Sequence, residues 1–413
     1  MATKSECTST THGFMRSRST ASNLSEFIYY AQKSLNSGCQ VDVLYTDFKS
    51  AFDKLLHNIL INKVRLKNLP DNFIAWLRSY LSNRSQFVKY GSSESSEFKC
   101  TSGVPQGSHL GPTLFLLFID DIVGGMEDVF ISLFADDVKI AKAIKTTQDV
   151  AILQSAIDKL RSWCNENDLH LNLDKCAVLT INKGRKIIDA NYLYGDYIFK
   201  RVTEHKDLGV IIDNKLKFAS HIDSITSRAT AALGFIKRFC YDIRDLQTLK
   251  SLYYALVQSH LEYCSVVWLS FEKIYKDKIE SILKQFTMFA RREYPSASNN
   301  YRITSYDKRL SALDMASLGR RRINTSIIYI YDVINGHANC PSIRSGINVN
   351  IDNRFRQNEY IKIIDKNMKL ALKLPLTQMC RSANKVADIF TESSSKNNFI
   401  SKLRATPNVL FDS

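Results

Sequence analysis

Residues 130–141 read Phe-Ile-Ser-Leu-Phe-Ala-Asp-Asp-Val-Lys-Ile-Ala, so two adjacent carboxylates lie between two apolar runs. Short apolar runs on either side of a turn are typical of paired strands. The stretch therefore predicts a tight hairpin with Asp136 and Asp137 at its tip. Two carboxylates in apolar surroundings are costly unless a cation compensates them, and Mg²⁺ prefers carboxylate oxygens. The tip is a candidate metal site, although an Asp-Asp pair after a strand is more often an ordinary turn.

A third carboxylate, Asp47, ends the β-prone run 41–46. An Asp on one strand and an Asp on a neighbouring hairpin can together hold two metal ions. In such a site one ion activates an attacking oxygen and the other stabilises the leaving oxygen. Asp47 alone indicates little, so the order and context of the three carboxylates decide the interpretation.

The composition indicates a folded protein with a polyanionic partner. Of the 413 residues 45% are hydrophobic, which is enough for a core in two or three domains. The net charge is +15, and residues 301–413 hold nine of these charges, with 18 Lys/Arg against 9 Asp/Glu. Nucleic acid is the expected partner. An acidic membrane surface and a merely solvated basic surface are the alternatives.

The cysteines and the hydropathy pattern argue against several other classes. The nine Cys are odd in number and none is at C-x-x-C spacing, so a disulfide framework or a zinc knuckle is not predicted. Reduced thiols fit an intracellular protein, in the cytoplasm or the nucleus. We expect no secretory signal, because the N-terminal segment lacks an apolar core. We expect no membrane span, because no run of about 18 apolar residues is present.

Periodicity predicts strands mixed with helices up to about residue 215 and helices beyond it. The predicted elements are a helix over 22–37, a hairpin of 87–90 with 97–101, a helix over 113–122, an amphipathic helix over 150–164, and strands over 169–181 and 208–212. Beyond residue 218 apolar residues recur at helical spacing, as at Leu246, Leu249 and Tyr253, and no strand is predicted. A domain boundary is therefore expected near residue 215.

Five segments follow one another along the chain as sequence motifs. They are Thr46-Asp-Phe-Lys-Ser-Ala-Phe-Asp53, Ser102-Gly-Val-Pro-Gln-Gly-Ser-His-Leu-Gly-Pro112, Phe134-Ala-Asp-Asp137, Leu171-Asn-Leu-Asp-Lys-Cys176 and His205-Lys-Asp-Leu-Gly-Val210. In content, order and spacing they resemble the motifs of reverse transcriptases from non-LTR retrotransposons, LINE-type and jockey-like. Each motif alone is weak, but the Pro-Gln-Gly segment and the complete set are specific. The resemblance spans roughly residues 11–290.

The resemblance implies a metal-dependent polymerase site. Asp47 and Asp136 would bind two Mg²⁺ ions, with Mn²⁺ as the alternative metal. Asp137 would lie beside them, and the backbone carbonyl of Phe48 would complete the metal shell. The substrates would be dNTPs, and the partners an RNA template and a DNA primer.

The resemblance also implies roles for residues around that site, each with a plainer alternative. Phe52 would exclude the ribose 2′-hydroxyl, or be an ordinary core residue. Gln106 and Gly107 would line the pocket of the nascent base pair, or form a turn after Pro. Lys175 would donate a proton to pyrophosphate, or be a solvated lysine. Leu208, Gly209 and Val210 would hold the primer terminus as a primer grip, or form a plain strand.

The expected architecture is α+β, with a polymerase palm of antiparallel sheet and packed helices, partial fingers and a helical thumb. The fingers segment would be residues 1–40, the palm 41–215 and the thumb 216–300, followed by a basic region of unknown role over 301–413. Arg291 and Arg292, at the end of a thumb helix, would contact phosphate or simply cap a helix. A fingers strand with basic residues, which precedes Gly13-Phe14 in the family, is not present in this sequence.

The leading hypothesis is an RNA-directed DNA polymerase, a nucleotidyltransferase. The alternative is a truncated, catalytically inactive remnant that binds nucleic acid without synthesis. A viral RNA-dependent RNA polymerase shares the palm layout, but Phe52 and the Phe-Ala-Asp-Asp context argue against it.

Overall fold

The computed structural model describes residues 10–184, 187–243, 245–268, 272–290, 305–350, 360–365 and 375–406. The chain forms two compact units. The first consists of residues 1–23 and 38–203, and the second of residues 24–37 and 204–413. Arg291 and Arg292, the expected phosphate contacts, lie outside the described residues.

The first unit is built on a mostly antiparallel sheet. Its described strands are β1 Gln40–Thr46, β2 Arg84–Gln86, β3 Lys89–Tyr90, β4 Ser93–Glu94, β5 Phe98–Cys100, β6 Phe130–Phe134, β7 Asp137–Ile144, β8 Ala177–Ile181, β9 Leu193–Tyr194, β10 Tyr197–Ile198 and β11 Lys200–Val202. The main sheet has the order β11-β8-β1-β7-β6. Strand β1 is antiparallel to both neighbours, β6 is antiparallel to β7, and β11 is parallel to β8.

Helices pack on this sheet and confirm the predicted α+β fold. Those that begin in the first unit are α1 Thr20–Asn36, α2 Ala51–Lys54, α3 His57–Leu66, α4 Asp71–Leu81, α5 Gly111–Ile119 and α6 Thr147–Asn167. Pairing of Leu44 with both Ile140 and Val178 puts these side chains on one sheet face. They are buried there together with Phe118 of α5 and Leu160 of α6. Burial of each such side chain stabilises the folded state by about 1.5–3 kcal/mol. This face of the sheet is therefore the hydrophobic core of the unit.

Two predicted helices are confirmed with shifted ends. Helix α5 begins at Gly111 because Pro112 suits the first helical positions. Helix α6 begins at Thr147 because Thr146 and Asp149 form a capping box. It ends where Asp168 adopts a left-handed conformation with a φ of 50°.

The predicted hairpin between α4 and α5 is present, but its extent was wrong. Its outer strands are β2 and β5, and β3 and β4 form a separate inner pair. Ser95 divides the two pairs, since Ser95 N donates to Val88 O at 2.9 Å and Val88 N donates to Ser95 Oγ at 2.8 Å.

The strand expected over 169–181 is only β8. Residues 172–176 form a turn instead, in which the Asn172 carbonyl accepts from Lys175 N at 3.0 Å and from Cys176 N at 3.2 Å.

The second unit is mostly helical, as predicted. Its described helices from residue 204 onward are α7 Ala219–Phe239, α8 Leu246–Tyr253, a π-helical turn Tyr254–Gln258, α9 Ser259–Glu262, α10 Lys273–Ala290, α11 Tyr306–Ala312, α12 Leu318–Ile334, α13 Pro341–Ser345, α14 Pro375–Asn384, α15 Ala387–Glu392 and α16 Lys396–Ala405. Within the described stretches, no helix has the length and apolar character needed to cross a bilayer.

Strands beyond residue 218 were not predicted, and that expectation was wrong. Besides β12 Glu204–Asp207 and β13 Val210–Asp213, the unit contains β14 Ile347–Val349 and β15 Ile361–Ile363, which pair antiparallel. Three-residue strands are too short to reveal a period of two among the surrounding residues.

The basic run at the start of α12 is folded into the unit. Arg320 Nη2 donates to the carbonyls of Leu403 and Thr406, at 3.2 and 2.9 Å. Arg321 Nε lies 2.5 Å from Glu262 Oε1, and Arg322 is buried. This run therefore stabilises the fold rather than forming an exposed basic patch.

Candidate active site

The acidic hairpin tip has the geometry that the sequence predicts. Phe134 pairs with Asp137 at the end of the β6–β7 ladder, so Ala135 and Asp136 are the two loop residues. Ala135 has a φ of 53°. A positive φ at the first loop residue alone is the pattern of a type II′ turn, which matches the twist of paired strands. The turn leaves Asp136 half-buried and Asp137 exposed.

Asp47 follows β1 at the same edge of the sheet. Thr46, the last residue of β1, pairs with Val138, which follows Asp137 directly. The Thr46 hydroxyl also donates to the Val138 carbonyl at 2.9 Å. These contacts fix the end of β1 beside the start of β7, so Asp47 and Asp136 belong to one site.

The charges of Asp47, Asp136 and Lys175 act on one another. Lys175 Nζ lies 3.2 Å from Asp47 Oδ2. Burial raises the pKa of Asp136 and the Asp47 carboxylate raises it further, whereas the Asp136 backbone N–H and Lys175 lower it. Burial is the largest cause of the raised pKa, and a cation bound at the half-buried Asp136 beside Asp47 would therefore be favoured.

The backbone around Asp47 presents a further oxygen. Phe48 forms an antiparallel bridge with Leu171, and Asn172 N donates to Asp47 O at 2.7 Å. Phe48 and Leu171 are therefore a non-hydrogen-bonded pair, in which the Phe48 carbonyl accepts no hydrogen bond from Leu171. The Asn172 contact also begins the turn that brings Lys175 to Asp47.

Residues 10–13 extend the sheet beside the acidic turn. His12 N donates to Leu133 O at 2.8 Å, and Leu133 N donates to Thr10 O at 3.0 Å. Gly13 then lies against the turn itself, because a Cβ built on it would be 2.4 Å from Ala135 N. No strand is predicted here from the sequence, because the stretch is too short to show a strand period.

Buried polar side chains at the start of α1 hold the same region. Asn23 Nδ2 donates to Ser132 Oγ at 2.7 Å and to Leu133 O at 3.1 Å. His12 Nδ1 lies 2.8 Å from Ser22 Oγ. These contacts join the first helix to the strand that leads into the acidic turn.

His12 is held neutral in this environment. Burial lowers its pKa to about 3, and the positive charges of Arg18 and Lys139 contribute to the decrease. It therefore acts as an uncharged hydrogen-bonding group near neutral pH. Neither His12 nor Asn23 belonged to the predicted site, and only the Gly13-Phe14 resemblance pointed to this segment.

Phe52, in α2, is held between two aromatic rings. Its ring stacks on Phe115 of α5 with centroids 4.5 Å apart, and Phe14 approaches it edge-on at 6.4 Å. Phe115 is fully buried, whereas Phe14 is exposed. One face of Phe52 is thus fixed by the core, and the ring is only partly buried.

The Pro-Gln-Gly segment is bonded to α2 and so lies beside Phe52. Val104 N donates to Phe52 O at 2.9 Å, and Gln106 Nε2 donates to Asp53 Oδ1 at 3.0 Å. Gly107 follows with a φ of 79°. The Pro-Gln-Gly segment is therefore held against α2, the helix that carries Phe52.

A groove of about 680 Å³ runs along this segment. Its lining includes Arg84, Gln86, Lys99 and Gln106. Arg84 is fixed in place, because its Nη2 donates to Gly103 O at 2.7 Å. The groove is polar and carries two cationic side chains.

Leu208, Gly209 and Val210 belong to the second unit. Asp207 pairs with Val210, so Leu208 and Gly209 form the two-residue loop of the β12–β13 hairpin. The predicted strand over 208–212 is thus a turn followed by β13.

The donor set around Asp47 fits a hard divalent cation. Among the described residues, no three His, Cys, Asp or Glu side chains are arranged to hold a metal ion together. Asp47 and Asp136 offer carboxylate oxygens, and Phe48 offers a carbonyl. Mg²⁺ commonly combines one or two carboxylates with waters and substrate phosphates, and this set meets that need.

Comparisons with known proteins give matches to one family. A family profile described as reverse transcriptase (RNA-dependent DNA polymerase) matches residues 3–234. The RNA-directed DNA polymerase from mobile element jockey of Drosophila melanogaster is 28% identical over 221 residues, which cover 52% of this chain and 24% of that relative. The probable RNA-directed DNA polymerase from transposon X-element of the same species is 27% identical over 227 residues, covering 54% and 25%. The chain therefore spans about a quarter of the length of these curated relatives.

Among solved structures, the telomerase of Candida tropicalis in complex with the TWJ fragment of telomeric RNA is similar at 14% identity. The match covers 92% of this chain and 52% of that chain, with a TM-score of 0.38.

Proposed function

The chain belongs to the reverse transcriptase (RNA-dependent DNA polymerase) family, and from this premise we propose that it is the polymerase part of a jockey-like non-LTR retrotransposon. It joins dNTPs to a primer 3′-hydroxyl on an RNA template and releases pyrophosphate. The observation that carries the proposal is the pairing of Thr46 with Val138, since it brings Asp47 and Asp136 to adjacent strand ends.

Asp47 and Asp136 are the proposed ligands of two Mg²⁺ ions, with the Phe48 carbonyl in the same shell and Asp137 beside it. When bound, the ions activate the attacking hydroxyl and stabilise the leaving oxygen. The protein contributes position: the β1–β7 ladder fixes the two carboxylates before substrate arrives. In phosphoryl transfer, positioning and charge stabilisation supply most of the rate.

Lys175 is the proposed proton donor to the departing pyrophosphate. Its side chain is 66% exposed and its ammonium lies at Asp47. An exposed ammonium on a flexible stem can leave this carboxylate for a phosphate oxygen.

Phe52, Gln106 and Gly107 are the proposed lining of the nucleotide pocket. Stacking on Phe115 keeps the Phe52 ring from turning aside, so it can exclude a ribose 2′-hydroxyl. The neighbouring groove, with Arg84 and Lys99 in its lining, suits the phosphates of the template strand.

The remaining assignments follow the family. Residues 1–40 are proposed as partial fingers, 41–215 as palm and 216–300 as thumb. The Leu208–Val210 turn is proposed to hold the primer terminus. We also propose an intracellular location, in the cytoplasm or the nucleus. The cysteines of the described residues support it, because none of them forms a disulfide.

Primer extension on poly(rA)/oligo(dT) with dTTP and Mg²⁺ tests the proposal. The wild-type chain should incorporate dTMP, and Asp136→Asn should abolish incorporation. Asp277→Asn is the matched control, since it makes the same chemical change at an exposed position of α10. A folded, pure wild-type chain that incorporates nothing would refute the polymerase activity. A D136N variant as active as the control would refute the site.

The second candidate is nucleic-acid binding without synthesis, which the net charge of +15 favours. It predicts salt-dependent binding that is equal in wild type and D136N, while neither extends a primer. Comparing rNTP with dNTP incorporation separates both functions from an RNA-dependent RNA polymerase.

A further inference from the structure

The β12–β13 hairpin closes through a turn that its own sequence disfavours. Leu208 has a φ of 44° and Gly209 a φ of 86°, and two positive φ values in a two-residue loop define a type I′ turn. Asn, Asp or Gly usually occupies the first position of this turn, because a left-handed conformation is unfavourable for a branched side chain. Leu208 must therefore be held in this conformation by contacts from elsewhere.

Tyr263 supplies those contacts. Its hydroxyl donates to the Leu208 carbonyl at 2.9 Å. Its ring covers the next residue, since a Cβ built on Gly209 would lie 3.1 Å from Tyr263 Cε1. One side chain thus touches both loop residues of the turn.

Tyr263 is itself fixed by a buried chain of contacts that returns to the hairpin. Trp268 Nε1 donates to the Tyr263 carbonyl at 2.8 Å, and the Trp268 ring packs edge-on against His221 with centroids 5.3 Å apart. His221 Nδ1 in turn accepts from Ile211 N, in β13, at 3.3 Å. Trp268 and His221 are each 1% exposed, and these contacts connect the turn, the end of α9, and α7.

The π-helical turn Tyr254–Gln258 lies just before α9 in the same helical segment. A π-helical turn inside a helix is frequent at functional sites, because it shifts the residues that follow it around the helix axis. Here it changes the direction in which the segment carrying Tyr263 presents its side chains.

We propose that Tyr263 is a positioning residue for primer extension: it is a strut that holds the Leu208–Gly209 turn in the type I′ form in which the turn holds the primer terminus. This proposal rests on the proposed function, because the proposed function assigns the primer terminus to this turn. The strut itself rests only on the contacts of the second unit.

The structural part is tested by hydrogen exchange on the peptide that covers residues 204–214. Tyr263→Phe removes only the hydroxyl, and it should speed exchange of the Val210 and Ile211 amides by about two- to tenfold, the range for one neutral hydrogen bond. Exchange elsewhere in the second unit should not change. Tyr254→Phe is the control, as it makes the same change at an exposed position of the neighbouring helical turn. Wild-type exchange in Y263F would overturn the strut.

The functional part is tested by a double-mutant cycle with Leu208→Asn. Asn-Gly forms a type I′ turn by itself, so the strut should matter less in that background. Tyr263→Phe should lower kcat for primer extension about two- to tenfold in wild type, with unchanged affinity for the template–primer duplex. In the L208N background the same change should have less than half that effect.

Equal effects of Tyr263→Phe in both backgrounds, or a loss confined to duplex affinity, would overturn the positioning role. A wild-type chain that does not extend primers would refute the proposed function and with it the positioning role. Hydrogen exchange would still decide whether Tyr263 holds the turn.

Discussion

Replacing Gly13 by Ala should impair the acidic site through contact with the backbone of its turn. The added Cβ would lie 2.4 Å from Ala135 N, 3.1 Å from Phe134 C and 3.2 Å from Ala135 Cα. All three neighbours are backbone atoms, so none can rotate away. Reaching an ordinary contact of about 3.4 Å requires the turn or residues 10–13 to move by about 1 Å.

Movement of the turn and movement of residues 10–13 should each change a measurable property, either stability or the rate of primer extension. Overpacking of this kind costs about 1–3 kcal/mol, and each kcal/mol lowers Tm by about 2–4 °C in a folding unit of the size of the first unit. A displacement of about 1 Å at reacting groups lowers the rate about 100-fold. Because His12 is bonded to Leu133 in the adjacent strand, the displacement should reach Asp136 directly.

The assay combines initial rates of primer extension at saturating substrates with thermal unfolding. Gly234→Ala is the control: its Cβ would meet only Arg238 Nη1 at 3.5 Å, and a helical Ala is favoured over Gly by about 1 kcal/mol. The reasoning is refuted if G13A keeps the Tm of the wild type and extends primers at a rate within twofold of the control. If the wild type extends no primer, thermal unfolding still tests the contact.

Three further predictions concern neighbouring groups. Phe52→Val should raise the ratio of rNTP to dNTP incorporation at least about tenfold. It should also destabilise the chain by about 1–2 kcal/mol, because the stack on Phe115 is lost. An unchanged ratio would mean that Phe52 is only a core residue. Asp136→Asn should raise Tm, because burial raises the pKa of this carboxyl and its charge therefore opposes folding above the unfolded-state pKa; a lower Tm would contradict this prediction. Burial lowers the pKa of His12 from 6.5 to about 3 and that of His221 to about 4, so urea unfolding should show stability falling as pH drops below 6.5. Each histidine contributes at most about 1.4 kcal/mol per pH unit, and His12→Asn should reduce the slope by its share.

The central part of the site could be predicted because its signals are local. The Asp136 turn is decided by two apolar runs within twelve residues, and Phe52 by its place in the motif that starts at Asp47. A strand, a turn and a strand leave their pattern in consecutive residues, so the β6–β7 hairpin follows directly.

The parts that could not be predicted depend on residues far apart in sequence. Asn23 meets Ser132 across 109 positions, and Tyr263 meets Leu208 across 55. Neither pair leaves a periodic signal, because each partner contributes one side chain to a contact made only after folding. The short strands β14 and β15 were missed for a related reason, since pairing rather than local sequence defines them.

The contacts of the arginines in α12 also indicate which truncations of the chain would destabilise the second unit. Arg320 takes its acceptors from Leu403 and Thr406, at the C-terminal end of α16, and Arg321 takes its own from Glu262, at the end of α9. Leu318 N and Gly319 N donate to Glu280 of α10 as well. Removal of the residues beyond about 300 would therefore leave Glu262 and Glu280 without these partners. Removal of α16 would leave the buried Arg320 without its two carbonyl acceptors, which is destabilising because the charged group loses its hydrogen bonds. The described helices after residue 304 are thus part of the fold of the second unit and not a detachable tail.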